Sequence, residues 1–319
     1  HNGVTAIRAQ RKVKRATPPK DAPIPHSGKQ ADYTIAGATY SATTLEPGLY
    51  VVATPIGNLG DITIRALATL AAADVIYCED TRISRRLTER YGISTKLSPY
   101  HDHNGDKVRP EILAQLEAGA AVALISDAGT PIVSDPGYKL VRASLDRGFD
   151  VIPLPGPSAP IAGLAKSGLP SDRFFFGGFL PVKQGARRKV LEELKAVRAT
   201  LIFFETGGRI AASLADVADA LGPRQVVVTR ELTKLHEEAL SGEAGPLAQS
   251  IGKLKGEITL LIGPPESAEE ISDEEIDEAL RSALSELPAG KAAAHVAKAL
   301  GLSRQALYDR AVALKRQME

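Results

Sequence analysis

The sequence has a single cysteine, Cys78, among its 319 residues. One thiol can build neither a disulfide framework nor a thiolate metal cluster, so both of these protein classes are excluded. The sequence also lacks an apolar run long enough to span a membrane and the apolar core of a signal peptide. We therefore expect a cytoplasmic protein with no membrane partner.

A strong net charge is missing as well, because 39 Lys and Arg residues face 38 Asp and Glu residues, for a net charge of +1. This balance excludes a uniformly basic nucleic-acid coat, but the charge is unevenly placed. Residues 1–30 hold seven basic residues, four prolines and one acid. We predict a disordered basic tail over residues 1–46, with order beginning near Pro47. Contact with RNA phosphates and a segment without function are the two interpretations of this tail.

Several common catalytic and nucleotide-binding motifs are also missing. Gly57 and Gly60 are only a partial match to the G-x-G-x-x-G fingerprint, which argues against a nicotinamide enzyme, and the absence of a Walker lysine motif excludes a P-loop NTPase. No G-x-S-x-G nucleophile elbow occurs. His101 and His103 flank Asp102, but no histidine has the spacing of a metal site, so we predict none.

Short apolar, β-branched runs alternate with amphipathic segments through the first half of the sequence. The apolar runs are residues 49–53, 74–78, 96–100, 121–125 and 150–154. This alternation predicts an α/β fold with a parallel sheet. Each run is followed by a loop rich in Gly, Pro or acidic residues, and the longest loop, residues 126–137, follows the central run. In open α/β sheets ligands bind at the carboxyl ends of the strands, so we expect these loops to form one site.

A second α/β unit is predicted over residues 172–263, with a helix over residues 210–221 and a last strand over residues 257–262. Two helices, residues 291–300 and 303–315, follow it as a helix-turn-helix pattern. Exposed positions of the second helix include Arg304 and Arg310, which could contact phosphates or bases, although paired helices are also a common packing unit. We predict four parts: a tail over residues 1–46, an N-terminal domain over 47–168, a C-terminal α/β domain over 169–265, and a helical module over 271–319.

Seven sequence blocks together resemble one known family. They are LYVVATPIGNLGD, VIYCEDTR, YHDHN, ALISDAGTPIVSDPG, PLPGPSA, FFFGGFLP and RELTKLHEE, spread from Leu49 to Glu238. In this order they are similar to the bacterial small-subunit ribosomal RNA methyltransferase I family, which belongs to the tetrapyrrole methylase (class III methyltransferase) superfamily. The helical segment at the end resembles the C-terminal extension of that family.

The resemblance implies 2′-O-methylation of a cytidine ribose in 16S rRNA of the small ribosomal subunit, with S-adenosyl-L-methionine as the methyl donor. It also implies two α/β domains of the tetrapyrrole methylase type with the donor cleft between them, and a homodimer. By the same resemblance, three loops of the first domain and two strands of the second supply the donor pocket. Its residues would be Pro55, Ile56, Gly57, Asp127, Gly129, Thr130, Ile132, Val133, Ser158, Ala159, Phe204 and Thr229.

A ribose hydroxyl that attacks a sulfonium methyl group must lose its proton, which requires a base or a nearby cation. We predict Asp80 and Arg82 for this role, with Glu79, His101 and Asp102 as alternatives, because all five follow predicted strands of the first sheet. Lys183 and Lys234 are further candidates from the second domain. Asp80 and Glu79 could equally cap the next helix, with Arg82 paired to them. RNA phosphates would be held by basic residues elsewhere, namely Arg187, Arg188, Lys189, Arg304 and Arg310.

Two other functions fit parts of the sequence. A methyltransferase of the same fold could act on a tetrapyrrole, another small molecule or a protein, but such a substrate needs neither the terminal helices nor the basic segments. A nucleic-acid-binding regulator without enzymatic activity could be built around the terminal helices, but it has no use for five ligand-type loops. Donor binding and substrate choice distinguish these functions.

Overall fold

The structure is a computed structural model that describes residues 31–134, 137–265, 273–300 and 302–318. The described chain divides into two compact units. The first ends at Ala162 and also includes Glu231–Glu237; the second comprises Gly163–Arg230 and continues from Glu238. The sequence did not predict that a segment as distant as residues 231–237 belongs to the first unit.

The first unit begins with an antiparallel hairpin of β1 (Asp32–Ile35) and β2 (Ala38–Ser41). The prediction of a disordered tail is therefore wrong for residues 32–41, while residues 1–30 lie outside the described residues. The physical reason is Tyr33, whose side chain is buried in the core of the unit. The backbone N–H of Thr34 also donates to the carbonyl oxygen of Tyr91 at 2.8 Å.

A five-stranded parallel sheet forms the centre of the first unit, which confirms the predicted α/β class. Its strands are β3 (Gly48–Val52), β4 (Val75–Cys78), β5 (Leu97–Pro99), β6 (Ala121–Leu124) and β7 (Val151–Leu154). The helices are α1 (Ile64–Ala72), α2 (Thr81–Arg90), α3 (Gly105–Glu117), α4 (Tyr138–Asp146) and α5 (Ala159–Ser167), of which α5 contains the unit boundary.

The strand order, β5-β4-β6-β3-β7, places β6 between β3 and β4. The chain runs from β3 through β4 to the edge strand β5, and returns through β6 to β7 on the other side. Such a reversal of direction opens a crevice outside the carboxyl ends of the strands. The loop after β6 therefore lies between the loops that follow β3 and β4.

Both faces of this sheet are covered by apolar side chains. Along β6, Ala121 and Ala123 belong to one core cluster, whereas Val122 and Leu124 belong to the other. Successive residues of a strand point to opposite faces, so a strand buried on both faces appears in the sequence as an unbroken apolar run. This is why β3, β4 and β6, whose residues are all buried, could be recognised from the sequence.

The second unit has a mixed sheet in the order β11-β10-β12-β9-β8, in which only β8 and β9 are parallel. Its strands are β8 (Phe174–Phe179), β9 (Thr200–Thr206), β10 (Gln225–Arg230), β11 (Glu238–Glu243) and β12 (Glu257–Ile262). Its helices are α6 (Gln184–Glu193), α7 (Ile210–Leu221) and α8 (Ala244–Ser250). β12, whose residues after Glu257 are all buried, was predicted at its observed bounds, whereas the half-exposed β11 and the short α8 were not predicted.

Three further helices end the described chain: α9 (Asp273–Leu284), α10 (Ala289–Leu300) and α11 (Arg304–Met318). Leu280, Val296, Leu307 and Leu314 pack together in their shared core. The two predicted helices are confirmed. A third helix, α9, was not predicted, because residues 266–278 are mostly acidic and show no clear apolar pattern. Among the described residues, no helix combines the length and the apolar character that a membrane crossing requires.

Candidate active site

A two-residue antiparallel bridge joins the loop after β3 to the loop after β6. The N–H of Thr54 donates to the carbonyl oxygen of Gly129 at 2.9 Å, and the N–H of Gly129 donates back to Thr54 at 3.0 Å. The hydroxyl of Thr54 also donates to the carbonyl oxygen of Ser126 at 3.1 Å. This bridge fixes Pro55, Ile56 and Gly57 beside the start of the central loop, as the sequence predicted for one ligand site.

The loop after β7 joins the same cluster. The hydroxyl of Thr130 lies 3.3 Å from the carbonyl oxygen of Pro157, directly before Ser158 and Ala159. A Cβ atom on Gly156 would lie 2.9 Å from the Cβ of Ala53, so only glycine allows this approach to the end of β3. The three loops predicted to bind the donor are thus brought together by main-chain and hydroxyl contacts.

The central loop holds unusual backbone conformations. Gly129, Ile132 and Ser134 have φ angles of 84°, 79° and 63°. A β-branched residue such as Ile132 rarely adopts this region, at a cost of about 1–3 kcal/mol, and such strain accumulates at ligand-binding sites. Strain of this kind persists only where the surrounding contacts impose it, here the bridge to Thr54 and the bond to Pro157.

These loops combine glycines with apolar side chains. A Cβ atom on Gly57 would lie 2.6 Å from Cγ of Lys234, and one on Gly129 would lie 3.4 Å from Cγ2 of Ile56. Small residues therefore keep the backbone amide and carbonyl groups near the surface, while Ile56 and the exposed Val133 offer apolar contacts. A ligand site of this kind combines apolar walls with a few fixed polar groups.

The two residues of the second unit that were predicted for the methyl-donor pocket lie in one row of its sheet. Thr229 of β10 and Phe204 of β9 are both register partners of Thr259 on β12, so the three side chains share one face. Thr229 is buried, and its hydroxyl donates to the carbonyl oxygen of Thr259 at 3.2 Å. Phe204 is half-buried and contacts the rings of Phe176 and Phe179.

A pocket of about 430 Å³ lies at the carboxyl edge of β4, β5 and β6. Four of the five catalytic candidates line it, and the full lining is Glu79, Asp80, Thr81, Arg82, Pro99, His101, His103 and Asp127. The neighbouring pocket, of about 190 Å³, shares His101 with it and also contains Asp102. The sequence grouped these residues correctly at one edge of the sheet, but it did not distinguish their roles.

Asp80 is the N-cap of α2, and its carboxylate accepts a hydrogen bond from the N–H of Arg82 at 2.8 Å. The same carboxylate binds the Arg82 guanidinium, with a shortest contact of 2.6 Å. These bonds lower the pKa of Asp80 to about 2. The alternative that Asp80 caps the helix and pairs with Arg82 is the arrangement that the structure has.

Two other carboxyls of the pocket have raised rather than lowered pKa values. Burial, followed by the charges of Asp127 and Asp102, raises the pKa of Glu79. Burial also raises the pKa of Asp127, although its Oδ1 accepts a hydrogen bond from the N–H of Asp80 at 2.9 Å. Carboxyls with raised pKa values in a pocket are typical of catalytic sites.

His101 also lines this pocket, and one of its ring nitrogens has no hydrogen-bond partner among the described residues. Its ring Nδ1 is buried and makes no hydrogen bond within the described ranges, while the ring lies 6.0 Å from that of His103. Its backbone N–H is held by the side chain of Asn104 at 2.9 Å. No group of three or more His, Cys, Asp or Glu residues in the described chain could hold a metal ion.

The predicted RNA contacts on α6 need correction. Arg187 is buried, and its guanidinium binds Asp216 at 2.5 Å and the carbonyl oxygens of Pro181 and Val182. The prediction that Arg187 binds RNA phosphate is therefore wrong, since its charge is already neutralised inside the unit. Arg188 also binds Asp216, at 2.7 Å, although its side chain is partly exposed. Lys189 is exposed.

On the terminal helices, the predicted RNA contact Arg310 is likewise paired with carboxylates inside the protein. Arg310 binds Asp277 at 2.5 Å and also pairs with Asp273, so it joins α11 to α9. This internal pairing leaves Arg310 less suited to RNA contact than the sequence suggested. Arg304 begins α11, but its side chain lies outside the described residues.

Comparison with known proteins identifies the family. The model of the Tetrapyrrole (Corrin/Porphyrin) Methylases matches residues 48–248, and that of the RsmI C-terminal HTH domain matches residues 270–315. The Ribosomal RNA small subunit methyltransferase I of Mesorhizobium japonicum is 55% identical over 279 residues, 86% of this chain and 94% of the relative. The protein of the same name from Escherichia coli O157:H7 is 43% identical over 277 residues, 85% and 97% of the two chains.

The chain belongs to the ribosomal RNA small subunit methyltransferase I family of tetrapyrrole methylases. As a member of that family it is a methyltransferase, and S-adenosylmethionine is its methyl donor. The resemblance drawn from the seven sequence blocks is thereby confirmed. A regulator without enzymatic activity is not compatible with this membership.

Solved structures support the fold of this methyltransferase. The methyltransferase CobJ matches with a TM-score of 0.53 at 18% identity, over 68% of this chain and 94% of CobJ. Diphthine synthase matches with a TM-score of 0.55 at 15% identity, over 67% and 89% of the two chains. At such low identity these likenesses concern the fold alone.

Sequence reasoning missed two residues that shape the site. Thr54 and Ser126 are both buried, and their contacts link the first and central loops. The sequence offered one signal, since each is a small polar residue directly after an apolar run. Nothing in the sequence showed that Thr54 pairs with Gly129, 75 residues away.

Proposed function

We propose that this methyltransferase transfers a methyl group to the 2′ hydroxyl of a cytidine ribose in 16S rRNA of the small ribosomal subunit. The observation that carries the proposal is the junction of three loops by the Thr54–Gly129 bridge and the Thr130–Pro157 contact. This junction lies on the same sheet edge as a pocket with two carboxyls of raised pKa. The 55% identity to a ribosomal RNA methyltransferase supports RNA as the substrate.

The donor pocket is proposed to comprise the twelve residues inferred from the family resemblance. The main-chain groups of residues 55–57 and 129–133 would orient the donor, with Ile56 and Val133 as apolar contacts. Bound S-adenosylmethionine supplies a sulfonium methyl group, which is strongly electrophilic. The protein then has to align the ribose hydroxyl with that methyl group and remove one proton, so positioning supplies most of the acceleration.

The RNA surface is proposed to include Lys189 and the α10–α11 pair, which the RsmI C-terminal HTH model matches. Arg188, like Arg310, is already paired with two carboxylates, those of Asp216 and Asp219. We also propose that the enzyme is a homodimer and acts in the cytoplasm, where its ribosomal substrate is assembled. A substrate of this size would be held mainly through phosphate contacts, so its binding should weaken as salt concentration rises.

The test is transfer of radiolabelled methyl from S-adenosylmethionine to small ribosomal subunits that lack modifications, followed by nuclease mapping. Label in one cytidine ribose that resists alkaline cleavage is the expected result. Donor binding without label in any RNA would contradict the RNA substrate and favour a small-molecule acceptor. The same assay with naked 16S rRNA shows whether the assembled subunit is required.

A further inference from the structure

We propose that Glu79 is the general base that removes the proton from the ribose hydroxyl, an inference that rests on the proposed function. The ribose oxygen forms a bond to the methyl carbon while the carbon–sulfur bond breaks and leaves its electron pair on sulfur. The hydroxyl proton passes to the carboxylate of Glu79. The products are the methyl ether, the neutral thioether and the protonated Glu79, so atoms and charge balance.

Asp80, which the sequence favoured, is unsuited to this task. Both of its carboxylate oxygens bind Arg82, and one also caps α2. Its pKa of about 2 makes it a weak proton acceptor, because efficient bases have pKa values near the working pH. Proton uptake by Asp80 would also break the ion pair and the cap, so its role is to fix the start of α2.

Asp127 has a raised pKa, but one of its carboxylate oxygens is occupied by a hydrogen bond from the backbone. Its Oδ1 accepts the N–H of Asp80, which joins the loop after β6 to the loop after β4. This bond holds the peptide between Glu79 and Asp80 in place. Asp127 is therefore a positioning residue in our proposal, and it directs the backbone that carries Glu79.

Glu79 differs from both neighbours. It is half-buried, lines the pocket, and its carboxylate has no hydrogen-bond partner in the part of the chain that the structure describes. A partly desolvated carboxylate without a donor retains its capacity to accept a proton from a substrate. The raised pKa supports this role, since it brings the group nearer to neutral pH.

The charged and titratable groups around Glu79 determine its titration. They come from the loops that follow β4, β5 and β6: Asp80, Arg82, His101, Asp102, His103 and Asp127. The neighbouring carboxylates disfavour ionisation of Glu79, and His101 favours it. The rate should therefore rise with pH as Glu79 loses its proton, and an acidic limb in the pH profile should belong to this residue.

The experiment compares wild type with Glu79→Gln, Glu79→Asp and the control Glu89→Gln, whose side chain is exposed on α2. Single-turnover methyl transfer to unmodified small subunits is measured from pH 5 to 9, with binding of S-adenosylhomocysteine measured by calorimetry. We expect Glu79→Gln to lose about 100-fold or more in rate. Donor binding and the subunit concentration that gives half of the maximal single-turnover rate should change little, and the acidic limb should disappear. Glu79→Asp should retain part of the rate with a shifted limb, and Glu89→Gln should match wild type.

The outcomes separate this inference from the proposed function. A Glu79→Gln enzyme that binds donor and keeps its rate and acidic limb overturns the role of Glu79 while leaving the function intact. A wild-type enzyme that binds donor but methylates no RNA overturns the proposed function and the inference with it. If Glu79→Gln fails to fold, Glu79→Asp decides, because an unchanged rate and limb in that variant also overturn the inference.

Discussion

The two units differ in how they satisfy two pairs of partly or fully buried carboxyls. In the second unit Asp216 binds Arg187 and Arg188, and Glu205 binds Arg209 and Ser213. In the first unit Glu79 has no salt bridge or hydrogen-bond donor within the described ranges, and Asp127 accepts only a backbone N–H.

On our proposal, this difference separates the carboxyls that serve stability from those that serve chemistry. Burial opposes ionisation of Asp216, but hydrogen bonds from Arg188, Gln184 and Arg187 outweigh it and lower its pKa. For Glu79 and Asp127 nothing outweighs burial, so their pKa values rise. Unsatisfied groups lower stability and persist where function needs them, whereas satisfied groups maintain the fold.

The largest effect on stability is expected for Asp216→Asn, which tests this comparison. Loss of this carboxylate leaves the buried guanidinium of Arg187 without its counterion, which should lower the free energy of unfolding by about 3–5 kcal/mol. Urea denaturation of the full chain measures the loss. The control is Asp219→Asn, since the Asp219 side chain is 59% exposed and should cost less than about 1 kcal/mol. Equal losses in the two variants would contradict a structural role specific to Asp216.

The next test concerns the loop junction of the first unit. In Gly129→Ala the new residue must adopt a φ near 84°, which should cost about 1–2 kcal/mol, and its Cβ would lie in contact with Ile56, 3.4 Å from Cγ2. Affinity for S-adenosylhomocysteine should fall about tenfold, equivalent to 1.4 kcal/mol. The matched control is Gly148→Ala, with φ of 77° and open space around the Cβ position. It should lose similar stability without loss of affinity; a comparable loss there would remove the junction from the donor site.

A smaller effect of opposite sign is expected for stability in Glu79→Gln. Glu79 has a higher pKa in the folded than in the unfolded chain, so the folded state binds more protons. Stability therefore falls as pH rises through the interval between these two pKa values. Above that interval the glutamine variant should melt about 1–3 °C higher than wild type, and below it the two melting curves should converge. A variant that melts lower at neutral pH would show that Glu79 stabilises the fold.

The smallest effect is expected at Thr130. Thr130→Val removes the hydrogen bond to the carbonyl oxygen of Pro157, which should cost about 0.5–1.5 kcal/mol and weaken donor binding slightly. Thr130→Ser keeps the hydroxyl and should retain both properties. Thermal melts with and without S-adenosylhomocysteine measure the two effects. If serine behaves as valine does, the methyl group rather than the hydroxyl matters at this position.

The limits of prediction from sequence have identifiable physical reasons. β12 and α7 were predicted at their observed bounds, because each has a continuous or periodic apolar pattern that burial requires. The hairpin of β1 and β2 was missed, since its order depends on Tyr33 packing into a core formed by later residues. The strand β11 was missed because half of its residues are exposed and its pairing with β10 carries no local signal.

By itself the sequence determined the family, the parallel sheet of the first unit and the edge at which its ligand loops meet. These properties follow from local apolar periodicity and from loop residues that lie next to each strand. Only the tertiary structure decided what each charged residue does. In the structure Asp80 pairs with Arg82, Arg187 pairs with Asp216, and Glu79 has no hydrogen-bond partner among the described residues. These outcomes depend on contacts between residues and on burial. Residue type and spacing do not carry that information, because the same carboxylate can cap a helix, neutralise a cation or accept a proton.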